Sequence, residues 1–118
     1  MVITGMALVY KICTVAEWNG AAASGKFSGS AADLADGFIH LSAAHQLRGT
    51  AAKHFKGRED LVLVAFDADA LPGLQWEPSR GGDLFPHVHG SLAAARATWV
   101  KPLPLIDGVH VFPDETVS

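Results

Sequence analysis

The segment Leu61-Val62-Leu63-Val64-Ala65-Phe66 carries six apolar side chains in succession. It is far too short to cross a bilayer, which takes about 20 residues as a helix. Its length and its valines fit a strand. Side chains of a strand point alternately to opposite faces, so this strand is apolar on both faces and needs cover on both. The sheet that holds it must therefore lie between other layers. The chain has 118 residues, enough for a single domain with one such core. The core is expected from about residue 8 to 112, with a tail over 113–118 that frays.

Other segments fill in the layers. Ala7 to Cys13 is apolar and β-rich and reads as a strand. Thr14-Val15-Ala16-Glu17 is a capping box, with Thr14 as N-cap and Glu17 three positions on. A helix follows and ends near Gly25, a suitable C-terminal cap. Phe27 to Asp36 reads as loop-like, with Ser30 and Asp33 opening a single turn. Gly37 to Ser42 reads as a second strand. Ser42 then caps a second helix whose apolar positions Ala44, Leu47, Ala51 and Phe55 recur at three and four, and Gly57 stops it. Asp67 to Gly73 turns, Leu74 to Glu77 is a short strand, and an irregular loop runs to Gly90. Ala97 to Lys101 and Val109 to Phe112 are further strands. This order is not a regular alternation of strand and helix, so the class is α+β, with a mixed or antiparallel sheet and two main helices.

Composition narrows the function. Nearly half of the residues are hydrophobic and the formal net charge is −3. The chain is globular, and an extended nucleic-acid surface, which needs a basic face, is not expected. Cys13 is the single cysteine, which excludes an internal disulfide and fits a reducing compartment. The first residues carry no basic group and Lys11 breaks the apolar stretch behind them, unlike a signal peptide. A cytoplasmic domain without a membrane segment is the expectation.

Two histidine-bearing stretches carry the chemistry. In Phe38-Ile39-His40-Leu41-Ser42, His40 shares a face with Phe38 and Ser42, while Ile39 and Leu41 share the other. A polar ring in a strand needs a hydrogen-bond partner or a role at a cleft. The second stretch, Trp76 to Gly90, gathers Glu77, Arg80, His87 and His89 among glycines and prolines. Arg80-Gly81-Gly82 offers a cation beside backbone that allows close approach of an anion. Trp76 is either core or a stacking wall for a flat ring. His87 and His89 share a face if extended and could join His40 in a three-histidine metal site. No fourth ligand sits at metal spacing, so no bound metal is expected. His45, His54 and His110 read as surface or partly buried side chains.

Tyr10-Lys11-Ile12, Trp18, Gly37-Phe38-Ile39-His40-Leu41-Ser42, Asp60-Leu61-Val62-Leu63-Val64, Trp76-Glu77-Pro78 and Phe85-Pro86-His87-Val88-His89-Gly90 together resemble a family of small bacterial domains of unknown function. His89 stands where that family more often has tyrosine, and Lys11 where many members have histidine. More distantly, His40-Leu41-Ser42, the helix after it and Leu61 to Ala68 resemble the core of RNA 2′-phosphotransferases, of the ADP-ribosyltransferase superfamily.

That resemblance implies a split mixed sheet with a cleft that takes NAD as a substrate. It places Lys11 at a first-strand position that donates to a ribose or phosphate, and His40 beside the nicotinamide. The superfamily's glutamate that aligns the nucleophile has no counterpart in the Phe85-Pro86-His87 block; His87 and Glu77 are the nearest candidates. The expected function is binding of NAD or a related nucleotide, with transfer or hydrolysis at its N-glycosidic bond. His40, His87 and Glu77 would be catalytic, and Lys11, Ser42, Trp76, Arg80 and His89 would bind the ligand. The alternatives are a non-catalytic module for a nucleotide or other small molecule, and a histidine-metal hydrolase.

Overall fold

The computed structural model describes residues 7–113 and Thr116. In chain order its elements are β1 (Leu8–Thr14), α1 (Val15–Ser24), β2 (Lys26–Phe27), α2 (Ala31–Asp36), β3 (Ile39–His40), α3 (Leu47–His54), β4 (Leu61–Asp67), β5 (Leu74–Pro78), β6 (Leu84–Val88), β7 (Leu92–Ala93), β8 (Ala97–Pro102), β9 (Leu105–Ile106) and β10 (Val109–His110). The class is α+β. Two three-stranded sheets, ordered β1-β4-β8 and β3-β6-β5, are accompanied by two small ribbons, β2-β7 and β9-β10. Every ladder among the described residues is antiparallel. A parallel neighbour needs a crossover back to the same sheet, and no helix here supplies one, so the mixed sheet gives way to the antiparallel one.

β4 is the middle strand of its sheet and is covered on both faces, as its unbroken apolar run requires. On one face Val64 and Phe66 pack with Val9, Cys13, Trp18 and Phe27. On the other, Leu61, Leu63 and Ala65 pack with Tyr10, Ile12, Leu47 and Ala51. α1 thus covers one side and α3 the other. The Thr14 capping box forms in both directions, Glu17 N–H to Thr14 Oγ1 and Thr14 N–H to Glu17 Oε1, and Gly25 ends α1 at a φ of 87°.

Three expectations need correction. Residues 27–36 are not a loop: Ser30 and Asp33 form a second capping box and start α2. Ser42 does not cap the next helix. That helix opens with a 3-10 turn whose N-cap is Ala43, and the Ser42 hydroxyl meets Thr50 Oγ1 at 3.0 Å instead. The stretch after Trp76 is a hairpin, β5 and β6 joined by a turn at Arg80–Gly82. Of the tail expected to fray, Thr116 is buried; residues 114, 115, 117 and 118 lie outside the described ones.

Ile39 and Val88 of the second sheet share a core cluster with Val64 and Phe66 of the first, and among the described residues the backbones of the two sheets are tied at one place. Tyr10 and Ser42 exchange backbone hydrogen bonds of 2.8 and 2.9 Å. Just before it, Leu41 N–H donates to the Pro86 carbonyl at 3.0 Å. A strand residue's N–H and C=O point to the same neighbour, and Pro86 has no N–H to return. The β3–β6 ladder therefore stops at His40, and the chain swings away to bridge β1.

Candidate active site

The site begins with a buried ammonium. Lys11 sits on β1 among apolar neighbours, with only 5% of its surface exposed. A buried cation needs a counter-charge. Asp33 supplies it, at 3.1 Å from Oδ1 and 2.8 Å from Oδ2, and the His40 carbonyl takes a third contact at 3.0 Å. An ammonium has three N–H donors, so Lys11 is spent on the protein. It does not point a donor at a ligand, as the first-strand comparison suggested.

Asp33 is the centre of the cluster. Its carboxylate accepts from Ser30 N–H, His40 N–H and the Lys11 ammonium, and Oδ1 lies 2.6 Å from His40 Nδ1. Burial pushes the Asp33 carboxyl up, but the His40 hydrogen bond and the Lys11 charge outweigh it, and the net shift is well below the usual carboxylate range. On the far side of the ring, His40 Nε2 lies 2.9 Å from Asp36 Oδ2. With carboxylate oxygens at both ring nitrogens, full satisfaction of the contacts takes two N–H donors.

β3 and β6 place His40 directly opposite His87. Their ring centroids are 5.6 Å apart in an edge-on arrangement. Phe38 stands beside them, 4.7 Å from His40, 4.2 Å from His87 and 5.4 Å from His89. The alternation read from the sequence holds: Ile39 and Leu41 are buried in the core, and Phe38, His40 and Ser42 share the opposite face. Behind His87 is Glu77. Its Oε1 meets His87 Nδ1 at 2.8 Å and His89 Nε2 at 2.9 Å. Hydrogen bonds from His89 and His87 hold the Glu77 carboxyl below its usual value.

The Phe38, His40 and His87 rings border a cavity of about 770 Å³. Lys11, His40, Ser42 and His87 line it from the sheets, Asp36 from α2, and Thr50, Lys53 and His54 from α3. Glu77 and His89 stand outside its lining, in contact with it through His87. Trp76 is neither core nor wall. It pairs with Pro86 and is 46% exposed, so the pleat turns it to the face away from His87. Arg80 has its backbone in the hairpin turn, and its side chain lies outside what the structure describes. Among the described residues no group of three or more His, Cys, Asp or Glu is arranged to hold a metal ion. Cys13 is buried, and burial pushes its thiol up to about 12, so it is not a nucleophile at neutral pH.

Sequence reasoning missed Asp33, Asp36, Thr50 and Lys53 as site residues; His54, read as a surface or partly buried side chain, is exposed and borders the cavity. Two signals were present: Ser30-x-x-Asp33 has capping-box spacing, and Lys11 on an apolar strand calls for an acid.

A family model described as "Protein of unknown function (DUF952)" matches residues 12–100. No curated protein matches the chain. Among solved structures, the X-ray structure of protein CC0527 from Caulobacter crescentus is similar at 50% identity with a TM-score of 0.88, over 92% of this chain and 97% of that one. The X-ray structure of a double mutant of CC0527 gives the same values. Its solution NMR structure aligns with a TM-score of 0.80 at 53% identity, over 88% of this chain and 91% of that one. Among the described residues no helix is long and apolar enough to cross a membrane.

Proposed function

We propose a function for a chain that belongs to the DUF952 family, proteins of unknown function: it binds NAD or a related nucleotide in the cleft over His40 and His87, in a fold of the ADP-ribosyltransferase type. The observation that carries this reading is the pair of imidazoles on facing strand positions, 5.6 Å apart, at the floor of a cavity beside the gap between two sheets. Such a floor offers a flat aromatic surface and hydrogen-bonding nitrogens together, which suits a heterocycle linked to polar sugar and phosphate groups. The split between the sheets and the tie at Tyr10 and Ser42 support that fold, although the resemblance implies a mixed sheet and the ladders here are antiparallel. In this reading Lys11 acts through Asp33, by holding the His40 segment in place, and Trp76 takes no part.

A second reading, transfer or hydrolysis at the N-glycosidic bond, is favoured by Glu77. Its carboxylate is kept anionic by His89 and His87, and a fixed negative charge stabilises the oxocarbenium-like charge that develops when such a bond breaks. Glu77 would act through His87 and not by touching the ligand.

Calorimetric titration with NAD, ADP-ribose and a 2′-phosphorylated nucleotide tests the first reading. His40→Ala should weaken binding about tenfold or more, which corresponds to about 1.4 kcal/mol. Val109→Ala, an exposed position on the β9–β10 ribbon, should leave it unchanged. Absence of binding, or binding indifferent to both His40→Ala and His87→Ala, rejects the site. Nicotinamide release from NAD by the wild-type protein, lost in Glu77→Gln with binding retained, would establish the second reading.

A further inference from the structure

The two carboxylates that grip His40 differ in how they are held. Asp33 is buried and tied to Lys11, to Ser30 N–H and to His40 N–H as well as to Nδ1. Moving it would leave a buried ammonium without its counter-charge. Asp36 is the last residue of α2, and its side chain is 56% exposed. Exposed ion pairs are weak, and the C-terminal end of a helix disfavours an acid. Asp33, Asp36 and His40 all line the cavity, but the Asp33 side chain is 2% exposed and that of Asp36 56%, so the Nε2 contact is made on the solvent side and the Nδ1 contact inside the protein.

We propose that the Nε2 face of His40 is a seat for an anionic phosphate-type oxygen, that Asp36 fills this seat in the free protein and gives way to the ligand, and that Asp33 is the positioning residue that keeps Nε2 aimed at it. The inference rests on the nucleotide reading and names the part of the nucleotide that His40 receives. Charge supports it. Asp33 and Lys11 cancel one another, and the partner that Nε2 meets at 2.9 Å is the Asp36 carboxylate. A phosphate oxygen replaces that carboxylate as anion for anion, whereas a neutral hydroxyl or carbonyl does not. Lys53, on α3, lines the same cavity and adds a cation for the remainder of the phosphate.

Asp36→Ala and Asp36→Asn test this without disturbing the core. Calorimetry is run on each with ADP-ribose, inorganic pyrophosphate and nicotinamide riboside, which lacks phosphate. Both variants should bind ADP-ribose and pyrophosphate about three- to tenfold more tightly than wild type, the scale of a weak exposed competitor. Nicotinamide riboside should bind each variant as it binds wild type. With ¹⁵N-labelled histidine, pyrophosphate should move the Nε2 resonance of His40 in Asp36→Ala while Nδ1, held by Asp33, stays in place. Unchanged or weaker phosphate affinity in both variants overturns the proposal, as does an Nε2 resonance indifferent to pyrophosphate. Pyrophosphate that moves Nε2 in a protein binding no nucleotide upholds the seat and rejects the nucleotide reading.

Discussion

Lys11 stands on a strand whose neighbouring side chains are apolar, and Asp33 is what lets it stay charged there. Only 2% of the Asp33 surface is exposed, and its carboxyl is held well below the usual range. Between the folded and unfolded values the unfolded chain binds a proton that the folded protein does not. The stability from this cluster is therefore complete above the ordinary carboxylate value of about 4 and is lost as pH falls below it. Asp33→Asn should cost about 3–5 kcal/mol at pH 7, since it strands a buried cation. Urea unfolding at several pH values should show the gap to wild type narrowing below about pH 4. A gap that stays constant down to pH 3 would remove Asp33 from the electrostatics of the fold. His40 was legible at this scale because period-two alternation reports a face. Asp33 was not, because burial of an acid in a short helix depends on a partner 22 positions away that no local pattern encodes.

At the scale of elements, local chemistry was readable and long-range pairing was not. Thr14, Glu17 and Gly25 announce both ends of α1 in the sequence, and the six apolar residues of β4 announce a central strand. The β5–β6 hairpin hid itself. Pro78, Pro86 and the Gly81-Gly82 turn look like loop residues, and a proline in a middle strand argues against strand structure. Pro86 is tolerated because its side toward β3 is where the ladder ends. Gln46 then fastens this hairpin to the helix layer. Its Oε1 accepts from Ala43 N–H at 2.9 Å and its Nε2 donates to the Leu84 carbonyl at 2.8 Å. Gln46→Ala should cost about 1–3 kcal/mol, because it leaves groups at a buried position without partners. Gln46→Glu keeps the acceptor and loses the donor, so its thermal midpoint should fall between wild type and Gln46→Ala. Equal midpoints for the two variants would mean that the Leu84 contact alone sets the loss.

Across the whole molecule, the gap between the sheets governs what the cleft can do. β1 and β3 belong to different sheets, and the backbone bonds between them are the pair at Tyr10 and Ser42. Ile39, Leu41 and Val88 anchor the β3–β6–β5 sheet in the core cluster it shares with Val64 and Phe66 of β4, so opening of the cleft is local to the backbone junction at Tyr10 and Ser42. A ligand seated between His40, His87 and α3 touches both sides of the gap. It stabilises the closed arrangement by RT ln(1 + [L]/Kd), about 2.7 kcal/mol at a hundredfold excess over Kd. Amide hydrogen exchange reads this directly. The amides of Tyr10, Leu41 and Ser42, which make the hydrogen bonds at the junction, should slow together on addition of ADP-ribose. Those of the β9–β10 ribbon, away from the cavity lining, should not. Slowing of the ribbon and the junction alike would mean that the ligand stabilises the fold globally, and the two sheets would then open only as one unit. Slowing confined to the junction makes the gap a hinge, with Pro86 as the reason one exists: a residue able to donate at that position would let β3 stay zipped to β6 and close the split from which the cleft is made.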